Sequence, residues 1–169
     1  MRSPRWPRPS RFNAVSRVIY IDADACPVKD ETVQVARRHS LPVYIVSNGG
    51  IRPHQDPLVQ TVIVPDGPDV ADKWIADRAS DGDVVVTADI PLAARVIASG
   101  AAALRHNGDV FSAENIGSQL ATRDLMADLR AADPLMTGAG KQGGRAFSKQ
   151  DRSRFLERLE ALIRKANCS

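Results

Sequence analysis

Residues 18–38 read VIYIDADACPVKDETVQVARR: a short apolar run, two aspartates, a proline and then a helical stretch. Short runs of Val and Ile bounded by Asp or Pro are typical of buried strands. Proline is favoured in the first turn of a helix, so Pro27 begins a predicted helix that extends to His39. The stretch therefore predicts a strand at 18–21 that an acidic loop joins to a helix.

The same alternation continues along the chain. The further predicted segments are strands at 43–46, 62–64, 84–86 and, more weakly, 102–105, and helices at 70–79, 92–99 and 115–131. Strands that alternate with helices form parallel sheets whose two faces are covered by the helices. The fold class is therefore predicted to be α/β, with a mostly parallel central sheet of four to five strands flanked by helices.

The chain divides into four predicted regions. The segment 1–17 is a disordered basic arm without an apolar period, 18–136 is the α/β domain, 137–147 is a flexible loop rich in glycine, and 148–169 is a C-terminal helix. This helix opens with Ser148 and Asp151 in capping-box spacing. It is expected to dock on the domain through an apolar stripe made of Phe155, Leu156, Leu159, Leu162 and Ile163.

The charges are distributed unevenly along the chain. The net charge is +3, yet residues 1–17 and 141–169 each carry +5 while residues 18–140 carry −7. Basic ends around an acidic body are expected to attract a polyanion such as RNA. The alternative is that the basic ends only keep the chain solvated.

Neither a membrane segment nor a disulfide framework is predicted. No apolar run approaches the roughly 20 residues that span a bilayer, and residues 1–17 lack the apolar core of a secretory signal. Two cysteines, Cys26 and Cys168, are too few for a disulfide scaffold. The expectation is a soluble, cytoplasmic protein with no membrane partner, and the sequence leaves its oligomeric state open.

Aspartates follow the predicted strands where the loops of an α/β sheet converge. Asp22 and Asp24 end the first run, Asp89 ends the fourth, and Asp69 and Asp72 lie one turn apart at the start of a helix. Hard cations prefer carboxylate oxygens, and a cluster of acids is tolerable when such a cation neutralises it. These five residues are therefore predicted to bind Mg²⁺ or Mn²⁺.

Helix capping is the alternative for three of these aspartates. Asp69 suits an N-cap with Asp72 as its capping-box partner, and Asp89 suits the N-cap of the next helix. The Asp22/Asp24 pair follows no capping pattern and costs desolvation at the end of a buried strand. A second polar segment, Ser47-Asn48-Gly49-Gly50, could bind phosphate through its backbone N–H groups or form a simple turn.

Four strings of the sequence carry a family resemblance. They are IYIDADACPVKDE at 19–31, VYIVSN at 43–48, GPDVADKWIA at 67–76 and GDVVVTADIPLA at 82–93. Together they resemble the bacterial YaiI/YqxD family, which in turn is similar to the PIN-like superfamily. That resemblance implies a three-layer PIN-like fold and a divalent-metal site that cuts RNA.

The resemblance also implies roles for individual residues. The five aspartates would be catalytic metal ligands with Thr87 supporting Asp89, and the reaction would be metal-assisted phosphodiester hydrolysis. The candidate substrate-binding residues are Ser47, Asn48, Lys29, Thr87, Arg95, Lys141 and Arg145. A fold resemblance does not by itself establish an activity.

Two other functions stay open at this stage. A haloacid-dehalogenase-like phosphatase would use Asp22 as nucleophile, Asp24 as acid/base and Ser47 to hold phosphate. The sequence lacks the downstream acidic motif and the lysine expected of such an enzyme. A PIN-like module that binds RNA or protein without turnover is the third possibility.

Overall fold

The computed structural model describes residues 17–23, 27–49, 52–67, 69–132 and 147–167. Its strands are β1 (Ile19–Asp22), β2 (Val43–Ser47), β3 (Val59–Ile63), β4 (Val84–Val86), β5 (Ala102–Leu104) and β6 (Val110–Phe111). Its helices are α1 (Lys29–Arg38), α2 (Val70–Arg78), α3 (Ile90–Ala98), α4 (Ala113–Ala132) and α5 (Lys149–Asn167).

The six strands form one sheet in the order β3-β2-β1-β4-β5-β6. All neighbouring pairs are parallel except β5 and β6, which are antiparallel. The chain leaves β1 toward β2 on one side and reaches β4 on the other, so the strand order reverses beside β1. Ligand sites of open α/β sheets lie at such a reversal, outside the carboxyl ends of the strands.

Two apolar clusters fill the space between the sheet and its helices. On one face, α1 and α5 cover alternate strand residues such as Ile21 and Ile45, with Phe155 and Leu159 of α5 fully buried. On the other face, α2 and α3 cover Tyr20, Val46 and their neighbours. The predicted fold class, a three-layer PIN-like α/β fold with a mostly parallel sheet, is confirmed.

The sheet differs from its prediction at two places. Strand β3 starts at Val59, three residues before the predicted run, because the half-buried Gln60 and Thr61 hide the start of this edge strand from an apolar pattern. The two-residue strand β6 was not predicted, and it adds a sixth strand to the expected four to five. Both differences lie at the ends of the strand order.

The structure describes the C-terminal helix but little of the basic arm or the glycine-rich loop. The basic arm lies outside the described residues except for Arg17, and the glycine-rich loop lies outside them except for Phe147. The C-terminal helix α5 begins with the reciprocal capping box of Ser148 and Asp151. None of the helices in the described residues is long and apolar enough to cross a membrane.

Candidate metal centre

Three separate segments bring aspartates to the carboxyl edge of the sheet. Asp22 is the last residue of β1, Asp69 and Asp72 flank the start of α2, and Asp89 immediately precedes α3. Strands β1 and β4 are parallel neighbours, so the loops that follow them leave the sheet side by side. This topology places Asp22 and Asp89, which are 67 positions apart in the sequence, at one edge of the sheet.

Thr87 ties the ends of β1 and β4 together. Its hydroxyl donates a hydrogen bond to Oδ2 of Asp22 (3.1 Å) and accepts one from the backbone N–H of Asp89 (3.0 Å). The residue is 3% exposed, and both bonds are partly buried. Thr87 therefore fixes the orientation of one carboxylate and the backbone position of another.

Asp72 is the aspartate of this cluster whose pKa is strongly raised. The pKa of the Asp72 carboxyl is raised from 3.8 to about 7, first by burial and then by the charges of Asp89 and Asp22, a hydrogen bond with Asp89 and the charge of Asp69. The positive ends of two helices, α2 and α3, point toward this edge and favour anions. Burial and the neighbouring carboxylates outweigh that effect, so near neutral pH the cluster keeps a proton for part of the time.

Helix capping explains Asp89 but not Asp69. Asp89 does cap α3, since its Oδ1 accepts from the backbone N–H of Leu92 at 2.9 Å. Asp69 occupies the N-cap position of α2 but makes no capping hydrogen bond with its side chain, and its backbone is left-handed, with φ 64°. An ordinary N-cap has extended backbone, so capping does not explain the residue at this position.

An aromatic stack supports α2 from below. Trp74 lies against Tyr20 and Tyr44, with ring centroids 6.1 and 5.9 Å away, and Ile75 is fully buried. The packing of Trp74 and Ile75 fixes the rotation of the helix. Asp72 lies two positions before Trp74, so the packing of Trp74 and Ile75 holds it at the carboxyl edge.

A family model matches residues 20–165 and is described as "Uncharacterized BCR, YaiI/YqxD family". The chain belongs to the YaiI/YqxD family. The UPF0178 protein of Roseobacter denitrificans is 66% identical over 148 residues, which cover 88% of this chain and 95% of that protein. The UPF0178 protein of Ruegeria pomeroyi is 65% identical, with coverage of 88% and 94%.

These comparisons extend the resemblance seen in the sequence to most of the chain. A UPF0178 protein of Parvibaculum lavamentivorans is 61% identical over 145 residues. The YaiI/YqxD description states no activity, and the search of solved structures found no match. The matched range contains all five aspartates, so the family assignment covers the candidate site.

The donors of this YaiI/YqxD site suit a hard divalent cation in their chemical type. Carboxylate oxygens are what Mg²⁺ and Mn²⁺ prefer. In the parts of the chain that the structure describes, however, no three His, Cys, Asp or Glu side chains form a group arranged to hold a metal ion. The carboxyls of Asp72 and Asp89 share a hydrogen bond instead, and Asp24 lies outside the described residues.

The candidate substrate-binding residues fall into several places. Ser47 is 1% exposed at the end of β2, and its hydroxyl donates to the carbonyl of Gly49 and accepts from its N–H, as in a simple turn. Asn48 is exposed in that turn, and Lys29 starts α1 after the loop that follows β1. Arg95 lies in the last turn of α3, away from Asp89.

Two of the predicted basic contacts, Lys141 and Arg145, lie outside the described residues. The basic residues of α5 were not among the predicted contacts. Their signal was present in the sequence, because Arg154 and Arg158 are spaced by one helical turn outside the apolar stripe.

Proposed function

We propose that this YaiI/YqxD protein is a metal-dependent nuclease that hydrolyses phosphodiester bonds, with RNA as its expected substrate. The observation that carries the proposal is the gathering of four aspartates from three segments, where burial and the neighbouring carboxyls together raise the pKa of Asp72 to about 7. Each of the influences found on Asp72 raises its pKa, and none comes from a cation. A structural carboxylate would normally gain a donor or a positive partner.

A divalent cation bound by these carboxylates would supply a water of lowered pKa and positive charge for the leaving oxygen. The candidate ligands are Asp22, Asp69, Asp72, Asp89 and, outside the described residues, Asp24. Before a cation binds, Asp72 is hydrogen-bonded to Asp89 and has a raised pKa, so the proton of Asp72 must leave when its carboxylate becomes a ligand. Metal affinity is therefore expected to rise with pH.

Residues of the chain orient the ligands. Thr87 donates a hydrogen bond to Oδ2 of Asp22 and so sets the orientation of that carboxylate. Oδ1 of Asp89 caps α3, and this hydrogen bond fixes the whole carboxylate, including Oδ2, at the start of the helix. Carboxylates whose positions are set by hydrogen bonds lose less entropy when they bind an ion.

The phosphatase alternative rests on Asp22 and Ser47, which end adjacent strands β1 and β2. Both hydrogen bonds of the Ser47 hydroxyl close its own turn with Gly49, so this side chain is not directed at a phosphate. The metal hypothesis uses more of the cluster, since Asp72 and Asp89 have no role in such a phosphatase. A non-catalytic module remains as an outcome of the test below.

The test compares Asp89→Asn and Asp72→Asn with Asp77→Asn. Asn at position 89 can still accept from Leu92, so the cap of α3 is kept. Asp77 is exposed on the same helix as Asp72, outside the cluster, which makes it a matched control. Each protein is incubated with single-stranded RNA and Mn²⁺, and cleavage is followed by gel electrophoresis.

The proposal expects cleavage by the wild type and by Asp77→Asn, and a loss of about a hundredfold or more in the two cluster variants. Equal cleavage by all four proteins would identify a contaminating nuclease. No cleavage of any RNA by a wild type that binds Mn²⁺ would contradict the nuclease activity. Phosphate release from a small phosphomonoester that depends on Asp22 would favour the phosphatase.

A further inference from the structure

A shallow groove with a positive charge runs along the outer side of α5. It is lined by Lys149, Gln150, Ser153, Arg154, Glu157 and Arg158. Three of these side chains are cationic and one is anionic. The opposite side of the same helix carries the buried Phe155 and Leu159, so the groove faces outward while the helix is anchored in the core.

The groove cations differ from the other basic residues of α5 in their partners. Arg152 is paired with Glu31 at 3.0 Å, and Arg164 lies 3.7 Å from Glu160. Among the residues that the structure describes, Lys149, Arg154 and Arg158 have no acidic partner within ion-pair distance. Because no described acidic residue pairs with them, these three cations are available to an external anion.

The groove begins at the carboxyl edge of the sheet. Arg152, at the start of α5, contacts Glu31 in the first turn of α1, whereas Glu160 contacts His39 at the other end of α1. Helix α5 therefore runs alongside α1 and in the same direction, away from the carboxyl edge. The groove occupies its first three turns, so it opens toward the edge at which the aspartates lie.

The turn between β5 and β6 holds the groove in place. Gly108 approaches Arg154 so closely that an added Cβ would lie 2.6 Å from the Cγ atom of Arg154 and 2.9 Å from its carbonyl carbon. The backbone of Gly108 has φ +95°, a conformation that glycine adopts without strain. The base of Arg154 is thus fixed by the fold while its guanidinium stays exposed.

We infer that this groove binds the phosphodiester backbone of a single-stranded nucleic acid. Guanidinium groups on successive turns bind phosphate oxygens in pairs, and Ser153 and Gln150 add hydrogen-bonding groups between them. The groove shares no residue with the aspartate cluster and lies on the α1/α5 layer, so the inference goes beyond the proposed function. A strand bound here would extend toward the carboxyl edge.

Binding is tested without cleavage, in EDTA, so that its outcome does not depend on nuclease activity. The probes are a fluorescein-labelled oligouridylate and an oligothymidylate of about 16 nucleotides, and vesicles of phosphatidylglycerol serve as a different polyanion. The variants are Arg154→Gln/Arg158→Gln and, as control with the same charge change, Arg38→Gln/Arg164→Gln. Arg38 and Arg164 are exposed and pair with Glu160, away from the groove.

The groove double variant is expected to weaken oligonucleotide binding roughly twentyfold at about 0.1 M salt and to lower the salt slope by about 1.4, while the control keeps the wild-type slope. Equal losses in both double variants, or binding only to vesicles, would overturn the inference. RNA and DNA bound alike indicate readout of the backbone alone, and a preference for RNA adds contacts to the 2′-hydroxyl; either supports the groove. If the groove variant loses binding but the wild type never cleaves, the nuclease proposal fails and the groove stands.

Discussion

Carboxylates at the two edges of the sheet are treated in opposite ways. At the amino edge, Asp83 accepts from the N–H groups of Val18 and Ser80, both at 3.0 Å, and Asp56 accepts from the N–H of Leu58 and from Arg37. At the carboxyl edge, the carboxyl of Asp72 lies among other carboxyls. The amino-edge carboxylates accept hydrogen bonds that stabilise loops, whereas the carboxyl-edge aspartates bring like charges together.

The pKa values express this difference. The hydrogen bond from Leu58, followed by that from Arg37, lowers the pKa of Asp56, whereas burial and neighbouring acids raise that of Asp72. The fold of this chain can thus supply donors to an acid where an acid serves structure. At Asp72, by contrast, every cause of the shift raises the pKa and no donor or cation lowers it. We therefore expect a ligand at the carboxyl edge.

The largest effect on stability is expected from Asp83→Ala. Asp83 is 4% exposed, and its removal leaves the backbone N–H groups of Val18 and Ser80 without their acceptor, at a cost of about 2–4 kcal/mol. Urea unfolding measures the change. Asp81→Ala is the control, because Asp81 is exposed in the same turn and should alter stability by less than about 0.5 kcal/mol. Equal effects of the two substitutions would show that the hydrogen bonds accepted by Asp83 do not stabilise the amino edge.

A smaller loss, about 1–2 kcal/mol, is expected from Thr87→Val. This substitution keeps the shape of the side chain but leaves the N–H of Asp89 and one oxygen of Asp22 without the hydroxyl. Thr87→Ser retains the hydroxyl and should retain Mn²⁺ affinity, which calorimetric titration measures. A valine variant that binds Mn²⁺ as the wild type does would show that Thr87 does not position the ligands.

The pH dependence of stability should have opposite signs at the two edges. Asp72 has a folded pKa of about 7, above its ordinary 3.8, so its contribution is fully present below about pH 4 and is lost as the pH rises through 7. In EDTA, Asp72→Asn should therefore gain stability relative to the wild type between about pH 5 and 8. Partial exposure keeps this gain below that of the substitutions above.

Thermal unfolding at a series of pH values measures the gain, and Asp77→Asn provides the baseline. A difference between wild type and Asp72→Asn that does not change with pH would contradict the like-charge account. Addition of Mn²⁺ should reverse the order of the two proteins at about pH 8, because only the wild type has the full set of carboxylates.

The smallest effect is expected at Asp56. Its pKa is lowered, so its contribution is present above the ordinary value of 3.8 and disappears as the pH falls through the folded value. The advantage of the wild type over Asp56→Asn in thermal unfolding should shrink in acid and in high salt, since Arg37 is 65% exposed. An advantage that grows in acid would reverse the assignment.

The position of the aspartates was accessible from the sequence because it follows from topology. Runs of Val and Ile that alternate with helices predict parallel strands, and the residues after such strands meet at one edge. Asp22 and Asp89 were placed by this reasoning without any knowledge of distances. The apolar stripe of α5 followed from helical periodicity in the same way.

Other features depend on contacts that a linear pattern does not contain. Asp69 has a left-handed backbone, whereas capping, the alternative to metal binding for this residue, requires an extended N-cap. The early start of β3 was hidden because an edge strand accepts polar residues such as Gln60. The groove of α5 depends on which arginines find partners on α1, and this is decided only when the helices pack.

The central claim is that the carboxyl-edge aspartates bind a divalent cation. It is tested most directly by anomalous scattering from a crystal soaked in Mn²⁺ at about pH 8, above the pKa of Asp72. The account predicts an anomalous peak within coordination distance, about 2.0–2.3 Å, of carboxylate oxygens from at least two of the three segments. A crystal with no peak at this edge at millimolar Mn²⁺, while the same carboxyls remain hydrogen-bonded to each other, would contradict it.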